Sequence, residues 1–147
     1  SFTALNNFLK TSNLPEFKNT RIRKLYKDSN KNIWIGSNKG LYKINYTTKK
    51  IEEYLTNGSA NSISDNLIYD ILETKDGKFW VGTVNGLNLL DPATNKFIRY
   101  FNDPHNPQSI SSSMIINLLQ DHEGDLWIGT NCGLNLLKKG STRLSIR

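Results

Sequence analysis

Apolar residues in this chain recur at fixed distances from three tryptophans, Trp34, Trp80 and Trp127. Twelve positions before each stand Ile22, Ile68 and Ile115, and nine before stand Leu25, Ile71 and Leu118. The residue just before is Ile33, Phe79 or Leu126. Seventeen positions before come Phe17, Ile63 and Ile110, and seventeen after come Ile51, Phe97 and Leu144. The tryptophans are 46 and 47 residues apart, a period that belongs to propeller blades or solenoid units. Each opens the same phrase: Trp34-Ile35-Gly36 leading to Gly40-Leu41, Trp80-Val81-Gly82 to Gly86-Leu87, and Trp127-Ile128-Gly129 to Gly133-Leu134.

Each copy divides into four short apolar runs separated by turn-forming residues. In the middle copy these are Leu67 to Glu73, Phe79 to Thr83, Leu87 to Leu90 and Lys96 to Phe101. Between them lie Lys75-Asp76-Gly77-Lys78, Val84-Asn85-Gly86 with its Asn-Gly hairpin signal, and Asp91-Pro92-Ala93-Thr94-Asn95. Four such strands joined by tight turns predict one antiparallel blade. Gly, Pro and Asn recur too often for helices of about 10–14 residues. The expected architecture is therefore all-β, a partial propeller of about three four-stranded blades. Expected boundaries are 1–12 for the outer strand and linker of a preceding blade, then 13–58, 59–106 and 107–147 for the three blades.

The first run of each copy is read as an inner strand buried on both faces, because Ile68 and Ile71 have opposite parity in a regular strand. Copy one departs from this pattern. Its Arg21-Ile22-Arg23-Lys24-Leu25 carries cations where the sister copies are apolar, so that blade is expected at an open end or facing something polar.

Three blades cannot close a ring that typically needs about 4–8. The chain is expected to be a piece of a longer repeat array. On its own, its two apolar end faces favour self-association, measurable as mass above monomer in sedimentation. No apolar run approaches the roughly 20 residues that span a bilayer, so no membrane contact is expected within the segment. The single Cys132 excludes an internal disulfide. A net charge of +6, with Lys18, Arg21, Arg23, Lys24 and Lys27 clustered around Tyr26, raises nucleic-acid binding. The scatter of Lys49-Lys50, Lys138-Lys139 and the acidic residues favours a solvated surface and no nucleic-acid partner.

Chemistry-bearing motifs are few. Asp28-Ser29-Asn30-Lys31-Asn32 and Asp121-His122-Glu123-Gly124-Asp125 space oxygen ligands like a calcium loop. Lys39 and Cys132 stand where its chelating Glu belongs, and Thr74 replaces the first Asp in copy two. A turn held by Asx hydrogen bonds is the expected role. His105 and His122 lack partners at metal-ligand spacing, and neither a catalytic triad nor a cofactor fingerprint is present. No catalytic residue, metal site or cofactor is assigned, and no ligand contact can be named. Trp34, Trp80 and Trp127 are expected to pack between blades, with Gly36, Gly82 and Gly129 allowing close approach and Gly40, Gly86 and Gly133 closing turns.

These residues resemble the two-component regulator propeller repeat. The likeness rests on Glu123-Gly124-Asp125-Leu126-Trp127-Ile128-Gly129-Thr130-Asn131-Cys132-Gly133-Leu134 and on Asp76-Gly77-Lys78-Phe79-Trp80-Val81-Gly82-Thr83-Val84-Asn85-Gly86-Leu87. The linkers Asn61-Ser62-Ile63-Ser64 and Gln108-Ser109-Ile110-Ser111 add to it. Copy one is loosest, with Lys31 in place of Gly and Ser37 in place of Thr. The resemblance implies the periplasmic sensor region of a Bacteroides-type hybrid two-component protein that detects glycan-derived oligosaccharides. The kinase, receiver and DNA-binding modules of such proteins are not in this sequence. Ligand is expected at one ring face, lined by Thr56–Asn66, Asn102–Ser113 and the turns at Asn38-Lys39, Val84-Asn85 and Asn131-Cys132. A protein-binding scaffold and, more remotely, a carbohydrate-active enzyme are the alternatives.

Overall fold

A computed structural model describes residue 17 and residues 19–146; the outer strand expected within residues 1–12 lies outside them. Among the described residues twelve strands form three four-stranded sheets. The first holds β1 (Ile22–Lys27), β2 (Ile33–Ser37), β3 (Leu41–Ile44) and β4 (Ile51–Tyr54). The second holds β5 (Ile68–Glu73), β6 (Phe79–Thr83), β7 (Gly86–Asp91) and β8 (Lys96–Tyr100). The third holds β9 (Ile115–Gln120), β10 (Leu126–Thr130), β11 (Gly133–Leu137) and β12 (Leu144–Ile146). Every sheet is an antiparallel meander in chain order, and no helix occurs among the described residues. The first strands lie side by side, β1 against β5 and β5 against β9, so the sheets fan out from a common inner edge.

Two clusters of buried side chains join the blades. Between the first and second lie Trp34, Leu41, Tyr54, Ile63, Ile68, Ile71, Phe79, Val81, Leu90 and Phe97. Between the second and third lie Trp80, Leu87, Ile110, Ile115, Leu118, Leu126 and Ile128. Trp34 and Trp80 face the following blade, and Phe79 and Leu126 face the preceding one, so the Phe79 ring stands 4.2 Å from that of Trp34. The glycine two residues after the tryptophan is required at these contacts. A Cβ on Gly36 would stand 2.7 Å from Ile68 Cγ2, and one on Gly82 would stand 2.6 Å from Ile115 Cγ2.

The inner strands correct one expectation. The odd spacing of Ile68 and Ile71 does not place them on opposite faces, because a β-bulge between Ile68 and Asp70 absorbs one residue. Both isoleucines therefore press on Gly36 of the preceding blade. Equivalent bulges occur at Ile22/Lys24 and beside Ile115. The opposite face of β5 is supplied by Leu72, packed against the second cluster.

Burial falls away at the two ends of the fan. Leu25 is 64% exposed and Leu119 63%, whereas their equivalents inside the stack, Ile71 and Leu72, are buried and half-buried. Trp127 is half-buried, although Trp34 and Trp80 are each only 3% exposed. These are the apolar end faces on which the expectation of self-association rests.

Copy one keeps its backbone despite Lys31. That residue adopts φ 67°, matching Gly77 at 81° and Gly124 at 92° in the same turn. A side chain there costs about 1–2 kcal/mol, and the turn is held anyway by Lys31 N–H donating to the Asp28 carbonyl.

Candidate functional site

Each repeat tryptophan is fixed through its indole nitrogen as well as its rings. Trp34 Nε1 donates to Asp28 Oδ2 and Trp127 Nε1 to Asp121 Oδ2, both at 2.8 Å. The same carboxylates accept from the turn: Asp28 Oδ1 from Asn32 N at 2.8 Å, and Asp121 Oδ1 from Asp125 N at 2.9 Å. The indole N–H, followed by backbone N–H groups, holds the Asp121 carboxyl below the usual carboxylate range. Lys138 and the Lys139 N–H do the same to Asp125. The calcium-like loops are thus turns that anchor the tryptophan. Among the described residues no group of three or more His, Cys, Asp or Glu is placed to hold a metal.

Copy two lacks this anchor. Thr74 stands where the aspartates stand, and its hydroxyl turns to Asp76 Oδ1 and the Lys78 carbonyl. The Thr74 hydroxyl lowers the Asp76 pKa. Among the described residues the Trp80 indole N–H has no acceptor, yet no fully buried side-chain nitrogen or oxygen lacks one.

At the inner edge, a polar chain links the blades that sequence reading treated only as a departure in copy one. Lys24 Nζ lies 2.7 Å from Asp70 Oδ1, and Asp70 Oδ2 accepts from Leu118 N at 2.8 Å. Lys24, Asp70 and Asn117 occupy the same place in the three copies, ten residues before the tryptophan. Opposite charges at one offset in successive copies were the available signal. A second link repeats at the next turn: Ser29 donates to Glu73 and Lys75 N to Gln120 Oε1, at 2.7 and 2.8 Å. Arg23 lies over the Tyr69 ring at 4.6 Å, and the Tyr26 hydroxyl donates to the Glu73 carbonyl. Arg23 and Lys24 of the basic cluster are thus spent on blade-to-blade contacts, with Leu25 beside them at the open end.

The loops expected to meet ligand do converge on one end of the sheets. Thr56 N donates to Asn66 Oδ1 and Asn102 N to Ser113 Oγ, which ties together the two ends of each linker. Beside them lie the turns after β6 and β10, through Val84 N to the Leu67 carbonyl, Gly86 N to the Ser113 carbonyl and Asn131 N to the Met114 carbonyl. Gly40, Gly86 and Gly133 complete the corresponding turns, next to Leu55, Ser64 and Ser111 respectively.

Half of each linker is nevertheless structural. Ile63 and Ile110 are fully buried between blades. Ser64 N donates to buried Asn88 Oδ1 and its hydroxyl meets Thr83; Ser111 repeats this with Asn135 and Thr130. What remains exposed is 56–61, 101–108, Asn38-Lys39, Asn85 and 131–134. His105 and Cys132 lie in these exposed stretches, and His122 is exposed in the turn before β10. A recess of about 380 Å³ borders the first linker, walled by Tyr54, Asn57, Ser59, Asn61, Asn95 and Lys96.

Comparison with known proteins supplies the family. The profile for the two component regulator propeller matches residues 16–39, 62–85 and 109–132, once in each copy. The extracellular domain of BT3049, described as a hybrid two component system protein of B. thetaiotaomicron, is 26% identical with a TM-score of 0.75. The alignment covers 92% of this chain and 18% of that one. The extracellular domain of BT4673 from the same organism, similarly described, is 29% identical with a TM-score of 0.74 over 90% of this chain and 18% of its own. This chain thus spans less than a fifth of the length of either neighbour. An inactive virginiamycin B lyase from Staphylococcus aureus, at 18% identity, TM-score 0.65 and coverage of 90% of this chain and 42% of its own, shares the fold alone. Comparison with curated proteins gives no match. With three matched repeats, each forming one four-stranded blade, the chain belongs to the two-component regulator propeller family.

Proposed function

We propose that this chain is part of the extracytoplasmic sensory propeller of a hybrid two-component regulator, periplasmic and non-catalytic, and that it takes part in recognising glycan-derived oligosaccharides. The observation that carries the reading is the match of at least 90% of the chain to extracellular domains of proteins so described. Consistent with it, the prominent residues of the repeat act as scaffold, which leaves the variable loop ends free for ligand. Their chemistry suits hydroxyl-rich ligands: the Asn61 and Gln108 amides are exposed, and Asn57, Ser59, Asn102 and Asn106 are exposed too while each braces its own loop through one polar atom.

Signalling then requires that bound ligand favour one arrangement of the sensory region over another. Isothermal titration of the complete sensory region against a panel of oligosaccharides tests this. Saturable binding of at least one glycan, weakened when 56–61 or 101–108 is replaced by Gly-Ser, is the expected result. A region that binds no glycan, or that turns one over, contradicts the proposal.

A further inference from the structure

The junctions between blades are built on one plan but filled differently. At the first, four aromatic rings pack together: Trp34 lies 4.2 Å from Phe79 and 5.3 Å from Tyr54, and Tyr54 lies 5.9 Å from Phe97. At the second, Trp80 and Tyr100 keep their places at 5.8 Å, but Leu126 and Leu144 stand where Phe79 and Phe97 stood. A cavity of about 200 Å³ lies there, lined by Trp80, Tyr100, Leu137 and Leu144 with Lys78, Ser141 and Thr142 toward its polar side.

Two hydrogen-bond donors lose their partners at the same junction. Trp34 donates to Asp28, but with Thr74 in that place the Trp80 N–H has no acceptor among the described residues. The Tyr54 hydroxyl donates to Glu52 Oε2 at 2.8 Å and lies 3.2 Å from Asn95 Oδ1; Ile98 and Thr142 replace these two residues, and the Tyr100 hydroxyl has no partner among the described residues. These changes are independent in sequence and fall at one junction: two lost rings, two lost carboxylates and one lost amide.

We propose that this trough between the second and third blades is a binding site for a small aromatic carboxylate. Its flat ring occupies the space that Phe97 fills at the first junction, beside Leu144, and its carboxylate accepts from Trp80 Nε1 and the Tyr100 hydroxyl. The lining dictates the class. Its polar side chains are an indole N–H and an ammonium, which only donate, and hydroxyls, which do either, with no carboxylate or amide among them, so the lining favours a ligand that supplies acceptors. Its floor of leucines leaves a sugar's hydroxyls unpaired, whereas an apolar ring with oxygens on one edge loses nothing there. The cavity is below the roughly 300–1,000 Å³ of drug-sized pockets, which restricts it to about one ring. Lys78 adds positive charge, partly offset by Asp76 at 3.4 Å. The site is separate from the loop end of the sheets and does not depend on the oligosaccharide reading.

The test is nuclear magnetic resonance on the ¹⁵N-labelled chain, titrated with benzoate, 4-hydroxybenzoate and, separately, D-glucose. The indole signal lost in Trp80→Phe is expected to shift saturably with either benzoate and not with glucose. Nuclear Overhauser contacts should connect the benzoate ring protons to the Leu144 methyls in the unaltered chain. Leu144→Phe, which restores the missing ring, and Thr74→Asp, which restores the indole acceptor, should each weaken binding at least tenfold. An unmoved Trp80 signal, a site that takes glucose instead, unchanged affinity in a folded variant, or ring contacts elsewhere on the chain would each overturn the proposal.

Discussion

Replacing Trp34 by alanine is expected to destabilise the chain by about 3–5 kcal/mol, the range for deleting a buried aromatic side chain. The indole is 3% exposed, contacts Phe79 and Tyr54, and holds the Asp28 carboxylate through its N–H. Removing it opens a cavity at the centre of the first junction and leaves a buried carboxylate one donor short. Because the blades share that core, a loss of this size approaches the whole stability of many domains, about 5–15 kcal/mol. Trp127→Ala is the matched control. It removes the same residue and the same aspartate bond, but from the uncovered end face, where the side chain is half-buried. Its expected cost is about 1–2 kcal/mol, in proportion to the smaller apolar area released to water. Urea unfolding of both variants gives the comparison; equal losses would mean that position in the stack does not govern the role of the motif.

Gly82→Val should be the second severe change, at about 3 kcal/mol, the upper part of the overpacking range. A Cβ at that site stands 2.6 Å from Ile115 Cγ2 and 3.0 Å from Ile115 Cβ. Both positions are fixed, since Ile115 is fully buried at the start of β9 beside the bulge. Relief requires the second and third blades to move apart, which uncovers the second core cluster. Gly129→Val provides the contrast. The nearest atom to its added Cβ is the tip of Asn117, a side chain that can swing away, so the expected cost is below about 1 kcal/mol. A shift of the denaturation midpoint in Gly82→Val with little change in Gly129→Val would match this picture.

The blades were legible because their determinants are local and triplicated. Gly77, Gly86 and the Asp91–Asn95 turn divide copy two into strands whose observed limits, such as Phe79–Thr83, fall on the apolar runs. The family was legible for the same reason, since the phrase around Trp127 survives nearly intact. What sequence could not yield was anything decided between copies. The bulge at Ile68/Asp70 is invisible to a count of parity, which assumes an unbroken pleat. The Lys24–Asp70 pair joins residues 46 positions apart and required comparing one column across the copies. The dual use of the linkers was hidden likewise. Ser64 and Ser111 look like free loop residues until Asn88 and Asn135 are placed beneath them. The loop ends left for ligand carry no repeated pattern, so no sequence rule singles out a contact.

The radial stacking of blades is tested most directly by iodide quenching of three single-tryptophan variants, with the other two indoles changed to phenylalanine, at protein concentrations low enough to keep the chain monomeric. Trp34 and Trp80 should emit at short wavelength and resist the quencher, while Trp127 should be quenched severalfold more strongly, as its half-exposed place on the end face requires. Equal quenching of all three, or shielding of Trp127 beyond that of the inner two, would contradict a fan in which Trp34 and Trp80 are each covered by the blade that follows and Trp127 lies on the end face.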